Sequence, residues 1–137
     1  MALHCYSLSK EGDVFLSKNF RVREFACRDR SDPVFIDEEL IALLQNIRDH
    51  FGQPVRLSSG YRTPAYNSTL KNAARYSQHL YGRAADIQVD NTSIEDIAAY
   101  AEMLLPAHGG IGRYPANAHR KGWVHLDTRS SRHRWVG

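Results

Sequence analysis

Ser77-Gln78-His79-Leu80-Tyr81-Gly82-Arg83-Ala84-Ala85-Asp86-Ile87-Gln88-Val89 is the stretch whose reading decides the fold. Gly82 permits a sharp turn. Beyond it the residues alternate, with Ala85, Ile87 and Val89 on one face and Ala84, Asp86 and Gln88 on the other, which predicts a strand over Arg83–Val89. That strand is at least half buried, because Ala85 and Ile87 flank its carboxylate. Asp86 therefore needs a partner, since burying an unpaired carboxylate is costly. Further on, Trp123-Val124-His125-Leu126-Asp127 repeats the pattern. Val124 and Leu126 face a core, and Trp123, His125 and Asp127 share the other face.

Moving outward, Asp37 reads as a helix N-cap, with Glu38 and Glu39 in the first turn to complement the dipole. Ile36, Leu40, Leu43, Leu44, Ile47 and Phe51 recur at helical spacing until Gly52 stops them. Thr92-Ser93-Ile94-Glu95 reads as a capping box. The stripe Ile94, Ile97, Ala98, Ala101, Leu104 and Leu105 follows it and ends at Pro106. A strand is expected at Pro54–Ser58 and a short helix over 64–73, opening at Pro64. Further strands are expected at Gly110–Tyr114 and Trp123–Asp127, with a last one at Arg134–Val136. Residues 13–35 read as irregular or single-turn elements that offer Val14, Phe15, Phe20, Val22 and Phe25 to the core. Helices first and hairpin-connected strands last predict an α+β fold, a small, mainly antiparallel sheet with helices packed on it. With 137 residues, one domain over 1–137 is expected.

An apolar fraction of 42% and a charged fraction of 24% exclude a disordered, collagen-like or coiled-coil chain. No apolar run approaches the roughly 20 residues of a membrane helix, so no membrane partner is expected. The start, MALHCYSLSKEGDVFLSKNF, lacks the basic and continuously apolar regions of a secretory signal. Cytoplasmic synthesis without a signal peptide is the expectation, with release by other means. The net charge of +3 favours acidic partners only weakly. Arg129, Arg132, His133 and Arg134 are locally basic, but no nucleic-acid-binding motif accompanies them, so no nucleic-acid partner is expected. Cys5 and Cys27 are too few for a disulfide framework or a cysteine zinc site. Both read as small buried apolar residues, and one disulfide between them stays open.

Of the seven histidines, His4, His50, His108, His119 and His133 lie in polar or terminal surroundings and read as solvated. His79 and His125 share their segments with Asp86 and Asp127. Two histidines and one carboxylate suit Zn²⁺ with an open fourth position, the mark of a catalytic rather than a structural site. The same residues also allow an ordinary hydrogen-bonded His79–Asp86 pair with His125 unrelated.

Four segments resemble the zinc D-Ala-D-Ala peptidase family. They are Ser58-Ser59-Gly60-Tyr61-Arg62-Thr63-Pro64-Ala65-Tyr66-Asn67, then Ser77 to Ile87, then Gly110-Ile111-Gly112-Arg113-Tyr114-Pro115, then Trp123 to Asp127. The resemblance runs from about Phe20 to Trp135 and is nearest to the small single-domain form of bacterial cell-wall and phage or prophage lysis enzymes. It implies a hedgehog/D-Ala-D-Ala-peptidase-like fold, a zinc cofactor held by His79, Asp86 and His125, and a monomeric metallopeptidase acting on peptidoglycan stem peptides. Either carboxypeptidase or endopeptidase action fits. It makes Arg62 the residue that holds a substrate carboxylate or carbonyl oxygen, a role its planar, permanently charged guanidinium suits. A salt bridge that pins the loop is the alternative for Arg62. Gln78 and Tyr81 are implied cleft residues, with packing an equal alternative for Tyr81. Several branches of the family carry an acid three residues before the last zinc histidine, where this chain has Gly122. Asp127 is then the general base, or else the acceptor that orients a ligand histidine. Gly122 also opens a second reading, a zinc-containing wall-binding or protein-binding module without catalysis.

Overall fold

A computed structural model describes residues 2–137. Its elements are β1 (Leu3–Ser7), α1 (Leu8–Glu11), β2 (Phe15–Ser17), β3 (Phe20–Arg21), β4 (Pro33–Asp37), α2 (Glu38–Phe51), β5 (Val55–Ser59), α3 (Pro64–Thr69), β6 (Ala84–Val89), α4 (Ile94–Leu104), β7 (Gly109–Tyr114), β8 (Trp123–Asp127) and β9 (Arg132–Val136). Two 3₁₀ turns, Val22–Phe25 and Gln78–Tyr81, complete the list. The fold is α+β. A five-stranded sheet runs in the order β5-β6-β8-β7-β9, antiparallel except for the β7–β9 pair. Two small ribbons, β1–β4 and β2–β3, lie apart from it.

The core follows from the alternation. Ala85, Ile87, Ile111, Val124 and Leu126 project from the sheet onto Leu40, Leu44 and Ile47 of α2 and Ile97, Ala98 and Ala101 of α4, all in one apolar cluster. Helix α2 starts and stops where expected. Asp37 caps it, and Gly52 ends it in the left-handed conformation at φ 64°. The cap of α4 lies one residue later than the sequence motif suggests. Ser93 accepts from the Asp96 backbone N–H, which leaves Glu95 free to meet Arg113. Helix α3 is shorter than expected, because after Thr69 the chain turns away through Leu70.

Other expectations are corrected. Residues 33–35, read as irregular, belong to β4, which pairs with β1 as an antiparallel ribbon. Phe20, Val22 and Phe25 are buried, but Val14 and Phe15 are exposed. Phe15 sits on the two-stranded β2–β3 ribbon, where the Arg21 guanidinium, 4.4 Å from its centroid, covers it instead of a core. Cys27 is buried as expected. Cys5 is exposed on β1, and both thiols are free, so the disulfide left open does not form. The arginines of the basic C-terminal stretch have acidic partners: Arg132 and Arg134 both reach Glu102, and Arg129 pairs with Asp127. Among the described residues no helix is long and apolar enough to cross a membrane.

Candidate metal centre

Sheet register brings Asp86 and His125 together, as directly opposed residues on β6 and β8. His79 arrives from the 3₁₀ turn that precedes β6. Gly82 closes that turn at φ 69°, and a Cβ there would run into the backbone of Phe35. The Gly82 carbonyl accepts from the Asp37 N–H, docking the turn on β4. Two bonds then stitch it to the loop after β5. The Arg62 backbone N–H donates to the His79 carbonyl (3.1 Å), and His79 Nδ1 lies 2.7 Å from the Gly60 carbonyl oxygen.

A carbonyl can only accept, so His79 carries its proton on Nδ1 and turns an Nε2 lone pair inward. That nitrogen is buried, lies 3.3 Å from Asp86 Oδ2, and has no hydrogen-bond partner. His125 is arranged in mirror fashion. Its Nε2 meets Asp127 Oδ2 at 2.8 Å, while its Nδ1 lies 3.0 Å from Asp86 Oδ1. Asp127 therefore sits behind the ring, and Nδ1 is the atom directed at the cluster. One ligand atom each from His79, Asp86 and His125 fall within 4.8 Å of one another, and all three residues are buried. Tetrahedral zinc with bonds of about 2.0–2.1 Å spaces its ligands by roughly 3.3 Å, and the Asp86 contacts of 3.0 and 3.3 Å match. Two ring nitrogens converging on one carboxylate form a cluster that a cation completes once His125 Nδ1 has given up its proton. The donor set fits Zn²⁺.

The titration behaviour follows from the same contacts. Burial pushes His79 below the ordinary imidazole value, with Asp86 only partly opposing it. Burial acts the same way on His125, but hydrogen bonds to Asp127 and Asp86 outweigh it and the value is raised. Asp86 and Asp127 are held well below the usual carboxylate range despite their burial. His125 and His79 hold down Asp86; His125 and Arg129 hold down Asp127.

Asp127 is wholly buried, and its acceptor capacity is spent. Besides His125 it accepts from the Gly110 N–H (2.9 Å) and from the Arg129 backbone and guanidinium. The centre opens on a cleft of about 780 Å³ whose walls include Arg62, Gln78, Tyr114, Trp123 and Trp135. Among the described residues Asp86 is the one carboxylate side chain lining it, and His133, read as a solvated histidine, lines it too. Arg62 donates to Ser59 Oγ (3.0 Å), Asn67 Oδ1 (3.3 Å) and Asp86 Oδ2 (3.3 Å). Tyr81 lies outside the cleft wall, 42% exposed, with the Arg83 guanidinium over its ring. Gly122 offers only its backbone, the carbonyl accepting from Gln88 Nε2. Sequence reasoning missed the Gly60 carbonyl and Trp135, one a backbone atom and the other a residue on a strand with no alternation to mark it.

Two histidines and one aspartate that could hold one metal ion, with an acceptor behind each imidazole and an open cleft in front, have the arrangement of a metallohydrolase site. The Peptidase M15 family model matches residues 18–127, and the chain belongs to that family, the zinc D-Ala-D-Ala peptidases. A search of curated proteins finds no match.

Proposed function

We propose that this protein is a zinc metallopeptidase that hydrolyses peptide bonds in bacterial peptidoglycan, with stem peptides as its substrates. The observation that carries the reading is the pair of imidazole nitrogens, His79 Nε2 and His125 Nδ1, both directed at Asp86 at the floor of a cleft in a chain of the Peptidase M15 family. Zinc held by His79, Asp86 and His125 would lower the pKa of a water toward ~7 and polarise a scissile carbonyl. The residues around the ligands set the rest. The Gly60 carbonyl and Asp127 hold the two imidazoles in the tautomers that present lone pairs. Arg62 uses three of its five N–H groups on Ser59, Asn67 and Asp86, which leaves two for a carboxylate or carbonyl oxygen of the substrate. Gln78 lines the same wall, and its buried Oε1 has no partner within the protein. In this reading Asp127 orients His125 and does not take a proton from water.

One observation favours the second reading, a wall-binding module without turnover. Gly122 stands where several branches of the family carry an acid, and among the described residues no carboxylate side chain other than Asp86 lines the cleft. Mass spectrometry of defined muropeptides incubated with the purified protein, with and without a chelator, tests both. Chelator-sensitive loss of one peptide bond is the expected result. Intact muropeptides that still bind would establish the module instead.

A further inference from the structure

Strand β9 lies beyond the segment matched to the family, yet it builds one side of the centre. It pairs in parallel with β7, placing Trp135 opposite Gly112, which in turn stands opposite His125 on β8. The three positions form one row across the sheet, and the middle one has no side chain. The Trp135 indole fills that gap. A Cβ on Gly112 would run into it, and its ring centroid lies 5.0 Å from that of His125, tilted by 50°. The indole is tethered at its far edge, where Nε1–H donates to Tyr114 Oη at 2.8 Å. The Arg129 guanidinium, which also holds Asp127, lies 5.5 Å from the same ring. The next row repeats the device: Gly110 stands between His133 and Asp127, and a Cβ there would strike the Asp127 carboxylate.

We propose that Trp135 is a positioning residue for the metal centre: its indole, seated over Gly112, packs against the His125 ring and holds Nδ1 on the line to Asp86. A hydrogen bond from Nε2 to Asp127 fixes the tautomer of that ring and one point of its edge. It leaves rotation about the Nε2–Asp127 direction open, and an aromatic face packed against the ring restricts that rotation. Gly112 is then part of the same device, because only an unsubstituted Cα lets the indole reach across β7.

The inference rests on His79, Asp86 and His125 being a zinc site. Its test is zinc affinity of the whole chain, measured by competition with a chromophoric chelator, together with the unfolding temperature of the chelated protein. Trp135→Ala is expected to weaken zinc binding about 10-fold or more, the usual cost of losing an outer contact to a ligand, while Trp135→Phe restores most of it. Val136→Ala, on an exposed residue of the same strand, controls for β9 pairing and is expected to bind zinc as wild type does. Gly112→Ala, which displaces the indole, is expected to lose a similar factor. The double variant Gly112→Ala/Trp135→Ala should lose no more than Trp135→Ala alone, since the clash and the contact are then both gone. Wild-type affinity in a folded Trp135→Ala protein overturns the inference and leaves the metal site standing. Failure of the wild-type chain to bind zinc overturns both. Should Trp135→Ala not fold, the Trp135→Phe and Gly112→Ala affinities decide, and equal affinity of both with wild type overturns the inference.

Discussion

His79 and His125 approach the same carboxylate from different kinds of structure. His79 stands on a 3₁₀ turn closed by Gly82, and the neutral carbonyl of Gly60 receives its Nδ1–H. His125 stands mid-strand, and the charged carboxylate of Asp127 receives its Nε2–H. Both arrangements direct one ring nitrogen inward. They differ in electrostatics. The carbonyl gives His79 no counter-charge, so burial wins and the imidazole is held neutral. The two carboxylates on His125 outweigh burial and favour its charged form. One ligand is thus ready for a metal, while the other must give up a proton to accept it.

The largest expected effect erases the comparison. Wild-type protein should contain about one zinc per chain, as a three-ligand site predicts, and His79→Ala/His125→Ala should contain none. Full zinc occupancy in that double variant would refute the ligand assignment. Arg62 touches Asp86 alongside the two histidines, and Arg62→Lys keeps the charge while losing the fork. It should lower kcat/KM roughly 10- to 100-fold, the worth of a charge-assisted hydrogen bond, with little change in unfolding temperature. Unchanged activity would return Arg62 to a loop-pinning role.

Asp127→Asn probes the charged side. As the acceptor behind His125, Asp127 should cost roughly 10- to 100-fold in zinc affinity on loss of its charge, with kcat at saturating zinc nearly retained. A kcat loss of roughly 10²- to 10⁴-fold at saturating zinc would make it a general base after all. Gly60→Ala probes the neutral side. A Cβ at Gly60 would lie 2.8 Å from the Phe25 backbone, so the loop must shift and carry its carbonyl with it. The expected zinc loss is smaller, about 10-fold or less, because a displaced carbonyl remains an acceptor. A larger loss than in Asp127→Asn would invert the comparison.

The smallest effect is on the stability of the chelated protein against pH. The raised His125 value contributes stability that is fully present below the unfolded imidazole value of about 6.5. That contribution is lost as pH rises through the folded value. Asp127, with its depressed value, contributes stability throughout this window and loses it only in acid. The stability advantage of wild type over Asp127→Asn should therefore be greatest near pH 6 and shrink as pH rises through the raised His125 value, as read from denaturant unfolding. A constant difference would show that Asp127 does not raise the His125 value.

Alternation placed Asp86, His125 and Asp127 on strands and on the non-core face, and caps and stripes placed α2 and α4. These are local consequences of side-chain period and backbone propensity, and they need no knowledge of neighbours. The α+β class followed from their order, and the resemblance of four segments pointed to the ligand set that the register of β6 against β8 brings together. What a residue meets was not legible. Phe15 is as apolar as Phe20, but only Phe20 lies where α2 and the sheet close over it. Asp127 shares a strand face with His125, yet only the tertiary contacts with Gly110 and Arg129 turn it behind the ring and away from the cleft. The Gly60 carbonyl has no side chain to announce it, and Trp135 reaches His125 only because β9 crosses to the far side of β7. Periods and caps act between residues a few positions apart, and the sequence by itself determines those. The direction in which a ligand nitrogen points depends on partners as far as 19 and 39 positions away, Gly60 for His79 and Asp86 for His125, and only the packed structure decides that.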